Sequence, residues 1–230
     1  HGFIPWDDQH HLSLSQTNAE VDGRWLFANA NNTPRVARID LKTFKTVEIL
    51  ELPNSAGNHS SPFLTENTEY VVAGTRFAVP MDDANGDVPI DSFKENFKGV
   101  LSFIGIDQQT GGMDLSFQIE APGINFDLSH AGKKKSGDWF FFSCYNSEKA
   151  NTLLEVNASQ NDKDFIMAVN WKKAAELVKA GKGRKVTTEY AHNTWDESTH
   201  SATSTMKKEV VVLSVEDMKD AMFMIPCPKS

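Results

Sequence analysis

Four places along the chain set histidines where they could do chemistry: the adjacent pair His10-His11, then His59, His130 and His200. Neutral imidazole ligates borderline metals and, away from a metal, closes loops by hydrogen bonding to backbone or carboxylate. His10-His11 opens an alternating run, Leu12-Ser13-Leu14-Ser15, that reads as a strand. Neighbouring side chains on a strand point to opposite faces. Two adjacent imidazoles therefore serve one metal only at a strand end, where the chain bends into its sheet. The pair is read either as metal ligands at the mouth of a sheet or as two polar surface residues. Asp8 and Asp127 suit the role of accepting an imidazole N–H and fixing the ring's orientation. His1 and His192 match no repeated position and receive no role.

Strands must position these groups, and the sequence is rich in them. The Asp22-Gly23 turn feeds Arg24 to Ala30. Arg35-Val36-Ala37-Arg38-Ile39-Asp40 alternates, turns through Leu41-Lys42-Thr43 and returns as Phe44 to Leu52. A similar cassette recurs as Tyr70 to Ala73, then Val100 to Asp107, turning through Thr110-Gly111-Gly112 into Met113 to Ile119. A third begins at Trp139 to Ser143 and continues in Phe165 to Asn170. An incomplete fourth is expected from Val210 to Ser214 and Ala221 to Ile225. One helix is predicted, Trp171 to Ala180, capped by Asn170 and stopped by Gly181. Asp82 to Asp87 resembles a calcium loop, but with Gly86 in the sixth position Met81 and Ser92 fall where ligands belong, so it reads as a polar loop tip.

Repeated sheets with two apolar faces are stabilised by packing on one another around an axis, so the expected fold is all-β, a β-propeller of about three to four blades with a short loop helix. On this reading each histidine precedes the first strand of a cassette, and inner strands converge on one channel. The imidazoles then either meet around a metal or close their own blades. Without thiolates, such a cluster suits copper or zinc. Three to four blades do not close a ring, so two sheet faces stay open.

A chain of 230 residues with 40% hydrophobic content supports a proper core, and a formal net charge of −8 argues against nucleic acid or an anionic membrane as the main partner. The basic run Lys133-Lys134-Lys135 reads as a solvated hairpin tip. Cys144 and Cys227 are too far apart for a zinc knuckle or a redox pair. No apolar run is long enough to span a membrane. The His1-Gly2 start and the Pro228-Lys229-Ser230 end suggest a piece of something longer.

Five stretches carry a family resemblance: Asp8-Gln9-His10-His11, Asp22-Gly23-Arg24-Trp25-Leu26-Phe27, Arg35 to Ile39, Leu52-Pro53-Asn54 running to His59, and Cys144 to Ala150. With them the chain resembles the N-terminal β-propeller part of the nitrous-oxide reductase family, and 1–230 is expected to be a single, truncated propeller domain. The resemblance implies a periplasmic homodimer that reduces N2O to N2 and water. It implies a seven-bladed propeller with a tetranuclear copper-sulfide cluster. A separate cupredoxin domain, beyond this chain, carries a dinuclear copper centre fed by an electron-donor protein such as a c-type cytochrome or cupredoxin. Position by position, His10, His11 and His59 match the first three cluster ligands, and Asp8 and Asp127 match acidic residues beside the cluster. Tyr145, Glu148 and Asp164 match calcium-site residues. His130 and His200 fall outside the implied ligand set. Three histidines do not hold four coppers, so the piece alone is expected to be inactive; the competing reading is a noncatalytic β-propeller binding module.

Overall fold

The computed structural model describes residues 9–14, 23–30, 34–55, 58–65, 68–75, 79–80, 97–121, 124–129, 138–145, 165–196 and 198–226. The readings placed on Asp82 to Asp87, on Lys133 to Lys135 and on Cys227 lie outside these residues.

The alternating segments become three antiparallel four-stranded meanders. The first runs β1 (Gln9–Leu14), β2 (Trp25–Ala30), β3 (Arg35–Asp40) and β4 (Lys45–Glu51). The second runs β5 (Asn58–Leu64), β6 (Tyr70–Thr75), β8 (Phe97–Ile106) and β9 (Met113–Ala121), with the short β7 (Val79–Pro80) pairing on β8. The third runs β10 (Ile124–Ser129), β11 (Trp139–Tyr145), β12 (Phe165–Asn170) and β15 (Met222–Pro226). Among the described residues the chain is all-β with one short helix, as expected, and the sheets stack face to face like propeller blades.

The second sheet shows why they stack. Val71, Ala73, Ile104, Ile106, Met113 and Leu115 pack on Trp25, Phe27, Val36, Leu50 and Leu52 of the first sheet. On the opposite face Val72, Leu101, Phe103, Phe117 and Ile119 pack on Phe140, Phe142, Met167 and Val169 of the third. A period-2 strand that is apolar on both faces has nowhere to sit except between two layers. Phe103 and Phe117 stack at 4.5 Å and 12°, and burying each ring contributes about 1.5–3 kcal/mol. The outward face of the third sheet leaves Ile166, Phe223 and Ile225 exposed.

The predicted helix is α1 (Trp171–Lys179). Asn170 Oδ1 accepts from Lys173 N at 2.9 Å, satisfying a first-turn amide. At its end Gly181 adopts φ +78°, with Gly181 N donating to Val178 O and Lys182 N to Leu177 O. That is the Schellman closure, which a Cβ at position 181 would strain.

The expected fourth cassette is not a fourth sheet. After α1 the chain makes a long hairpin, β13 (Arg184–Asp196) and β14 (Ser201–Leu213), and returns to finish the third sheet with β15. β13 pairs antiparallel with β4 through His192 to Thr194, and β14 pairs parallel with β9 through Val212 and Leu213. The hairpin thus joins the outer edges of the first two meanders into one ladder, β1-β2-β3-β4-β13-β14-β9-β8-β6-β5. An outer strand with unpaired backbone groups invites partners, and this insertion covers two such edges.

Three turns are tied by aspartates. Asp107 Oδ1 accepts from Thr110 N at 2.7 Å, from the Thr110 hydroxyl at 2.9 Å and from Gln109 N at 3.0 Å. These bonds, the Thr110 amide first, hold the Asp107 carboxyl below its ordinary value. The Ser198 hydroxyl and amide do the same for Asp196, and the Ser214 amide and hydroxyl for Asp217. A carboxyl lowered on folding contributes stability above its unfolded-state value, near pH 4, and that stability is lost as pH falls through the folded-state value. The urea midpoint should therefore drop between neutral pH and about pH 3. In Asp107→Asn the drop should be smaller, and an equal drop would count against the turn's part in it.

Candidate functional site

Each histidine matched to the copper cluster sits on the first strand of a sheet, near that strand's start. His10 and His11 are in β1, with His11 opposite Asn29, and His59 is in β5, opposite Gly74. β5 lies beside β1 on one flank and beside β10 on the other, so the first strands of all three sheets are neighbours. Counting strand senses along the ladder, β1 and β5 run in the same direction, so both start at the same end of the molecule. His10, His11 and His59 are carried to that end together. Asp127 lies on β10, which adjoins β5.

Of the residues matched to calcium, Tyr145 lies in the third sheet. β11 ends at Tyr145, opposite Ile124 at the start of β10, and β12 begins at Phe165, opposite Cys144. The connection that contains Glu148 and Asp164 therefore leaves and rejoins the sheet at the end where β10 begins. Asp8, Glu148 and Asp164 themselves lie outside the described residues. Among the described residues no group of three or more His, Cys, Asp or Glu side chains stands ready to hold a metal ion.

Sequence reasoning missed a buried carboxylate that ties four strands together. Glu48 is buried on β4, and its Oε2 accepts from Arg38 Nε at 2.7 Å. Its Oε1 accepts from Met113 N at 2.9 Å and lies 2.6 Å from His192 Nε2. One carboxylate thus ties β3 and β4 to β9 of the second sheet and β13 of the hairpin. Arg38 also donates to Thr110 O at 3.2 Å and stacks 4.1 Å over the Trp25 ring, with Arg24 4.4 Å from that ring as well. The Arg38 and Glu48 pairing was legible in principle, since the two are cross-strand partners in the predicted hairpin. Nothing in the local sequence assigns His192.

No protein-family model matches the chain. Nitrous-oxide reductase of Pseudomonas fluorescens is 32% identical to it over 176 residues, 76% of this chain. Nitrous-oxide reductase of Stutzerimonas stutzeri is 30% identical over 175 residues, also 76% of this chain, and that of Ralstonia nicotianae is 27% identical over 191 residues. These three relatives are all nitrous-oxide reductases. The chain spans about a quarter, 26%, of the first two relatives' length. Among solved structures, hydrazine synthase of Kuenenia stuttgartiensis aligns with a TM-score of 0.49 at 10% identity, covering 85% of this chain and 58% of that one. That likeness is too low to carry the fold, which rests on the sheets themselves.

The strand order departs from the expectation that each histidine precedes the first strand of its sheet. The third sheet begins at β10, not at Trp139, so His130 follows the end of an inner strand instead of opening one, and it lies outside the described residues. His200 sits in the exposed β13–β14 turn with φ +51° and precedes the hairpin's second strand, not the first strand of a sheet. Among the described residues no helix is long and apolar enough to cross a membrane.

Proposed function

We propose that this chain forms the first three sheets of the propeller of a nitrous-oxide reductase, as one domain, and contributes the opening part of its copper site. The observation that carries the reading is the common end shared by β1 and β5, which brings the positions of His10, His11 and His59 together in a chain whose relatives are nitrous-oxide reductases. Imidazole donors fit copper. In this reading Asp8 and Asp127 orient the imidazole rings by accepting their second N–H. Tyr145, Glu148 and Asp164 supply the hard oxygen donors that calcium takes.

When bound, the copper-sulfide cluster supplies stored electrons and a site for N2O, whose oxygen leaves as water. This chain's share is geometry, since three histidines do not complete such a cluster. Further sheets would supply the remaining ligands, and the exposed row of Ile166, Phe223 and Ile225 is the kind of apolar face another sheet would cover. The complete enzyme is proposed to work in the periplasm as a homodimer, taking electrons from a c-type cytochrome or a cupredoxin.

Anaerobic Cu(I) competition against a chromophoric chelator tests the ligand assignment. The chain should bind copper saturably without reducing N2O, and His10→Ala, His11→Ala and His59→Ala should each weaken binding about tenfold or more. Copper affinity unchanged in all three variants would overturn the assignment and favour a noncatalytic binding module.

A further inference from the structure

Asn29 is fully buried, one residue from the end of β2. It stands opposite Val36 on β3, and Val36 and Phe27, which share its side of the sheet, belong to the apolar layer between the first and second sheets. A carboxamide on such a face is costly to bury unless its carbonyl and NH2 are put to use. Elsewhere buried polar side chains hold the scaffold: Glu48 and Arg38 bond each other, and Gln118 bonds Pro53 O, the Ser102 hydroxyl and Asn54. Asn29 differs in its place. It lies at the end of the molecule where β1 and β5 begin, directly opposite His11.

The register of β1 singles out His11. Gln9 stands opposite Ala30 and His11 opposite Asn29, so His10 is the extra residue of a β-bulge. A bulge bends its strand and re-aims side chains, which is the bend two adjacent imidazoles need to serve one metal. It also makes His11, and not His10, the cross-strand neighbour of the amide, a pairing that sets Cβ atoms about 4.5–5.5 Å apart. An imidazole N–H can reach an amide oxygen across that spacing. His59, by contrast, stands opposite Gly74, which offers no side-chain acceptor.

We infer, resting on the proposed copper site, that Asn29 is a positioning residue for it: Asn29 Oδ1 accepts one ring N–H of His11 and leaves the lone pair of the other ring nitrogen for copper. A neutral imidazole has one donor nitrogen and one lone-pair nitrogen, and the acceptor it finds decides which is which. Holding the tautomer and the ring angle before copper arrives spares the metal that ordering cost.

The copper-free chain is measured first. In nitrogen-15 NMR of the histidine rings, His11 should show one neutral tautomer with a ring N–H protected from exchange. Asn29→Leu, similar in volume and apolar, should turn His11 into a mixture of tautomers, leave His59 unchanged and weaken Cu(I) binding about tenfold or more. Asn29→Asp keeps an acceptor in place and should restore both readouts. Mixed His11 tautomers in the unsubstituted chain, no response of His11 to Asn29→Leu, or an equal response of His59 overturns the inference. If neither variant folds, the spectrum of the unsubstituted chain decides. Unchanged copper affinity in His11→Ala sinks the copper reading itself, whereas loss in His11→Ala without loss in Asn29→Leu sinks only the role of Asn29.

Discussion

Glu48→Ala is expected to lower stability by about 3–5 kcal/mol, a large fraction of the total stability of a typical domain. The substitution removes one acceptor that serves three donors on three other strands: Arg38 Nε at 2.7 Å, Met113 N at 2.9 Å and His192 Nε2 at 2.6 Å. Arg38, with its side chain 10% exposed, is left without its carboxylate, and Met113 N without an acceptor, so the cost is that of isolated buried donors rather than of a surface ion pair. Urea unfolding measures it. Because the pair is shielded from solvent, the loss should be nearly the same in low and high salt. Arg38→Leu combined with Glu48→Leu should recover a large part of it, since replacing both partners removes the uncompensated charge. A loss below about 1 kcal/mol for Glu48→Ala would show that water reaches the pair and that it is no stronger than an exposed one.

Gly111→Ala should cost about 2–5 kcal/mol, from two sources at one atom. Gly111 adopts φ +74°, where a Cβ costs roughly 1–2 kcal/mol. That Cβ would also stand 2.2 Å from Trp25 Nε1 and 2.6 Å from Trp25 Cε2. Trp25 is buried against two guanidinium groups and has nowhere to retreat, so relief means shifting the β8–β9 turn and adds about 1–3 kcal/mol of overpacking. Thermal unfolding monitored by near-ultraviolet circular dichroism follows both the midpoint and the indole's environment. Gly112→Ala is the control: a Cβ there meets only the Thr110 hydroxyl, at 3.3 Å, and its effect should be much smaller. Equal effects at the two positions would show that the Trp25 contact is not what requires glycine.

The local sequence carried most of the scaffold. Asp40 and Asp107 announce their hairpin turns because a short carboxylate captures the amides that follow it, as Lys42 N to Asp40 Oδ1 at 2.8 Å and Thr110 N to Asp107 Oδ1 at 2.7 Å show. Asn170 and Gly181 bracket α1 for reasons contained within four residues of each end. The His10-His11 pair was legible as the start of a strand, because alternation begins there, and β1 contains it near its first residue.

What local sequence did not carry is which edges meet. Val210 to Leu213 is a continuous apolar, β-branched run that any buried strand could carry, and nothing in it names a partner, yet Val212 pairs with Gln118 and Arg184 pairs back with Val212. Periodicity tells which face of a strand is buried; it does not say which other strand takes its backbone hydrogen bonds, because every edge presents the same donors and acceptors. The same reason hid His192, whose partner Glu48 lies 144 residues earlier in the chain. The sequence by itself determined the strands, their turns, the helix and its caps, and the histidines at the head of β1 and β5. Only the tertiary structure decided that a hairpin from the third sheet would close the outer edges of the first two, since that pairing joins strands far apart in the chain through backbone groups that every edge presents alike.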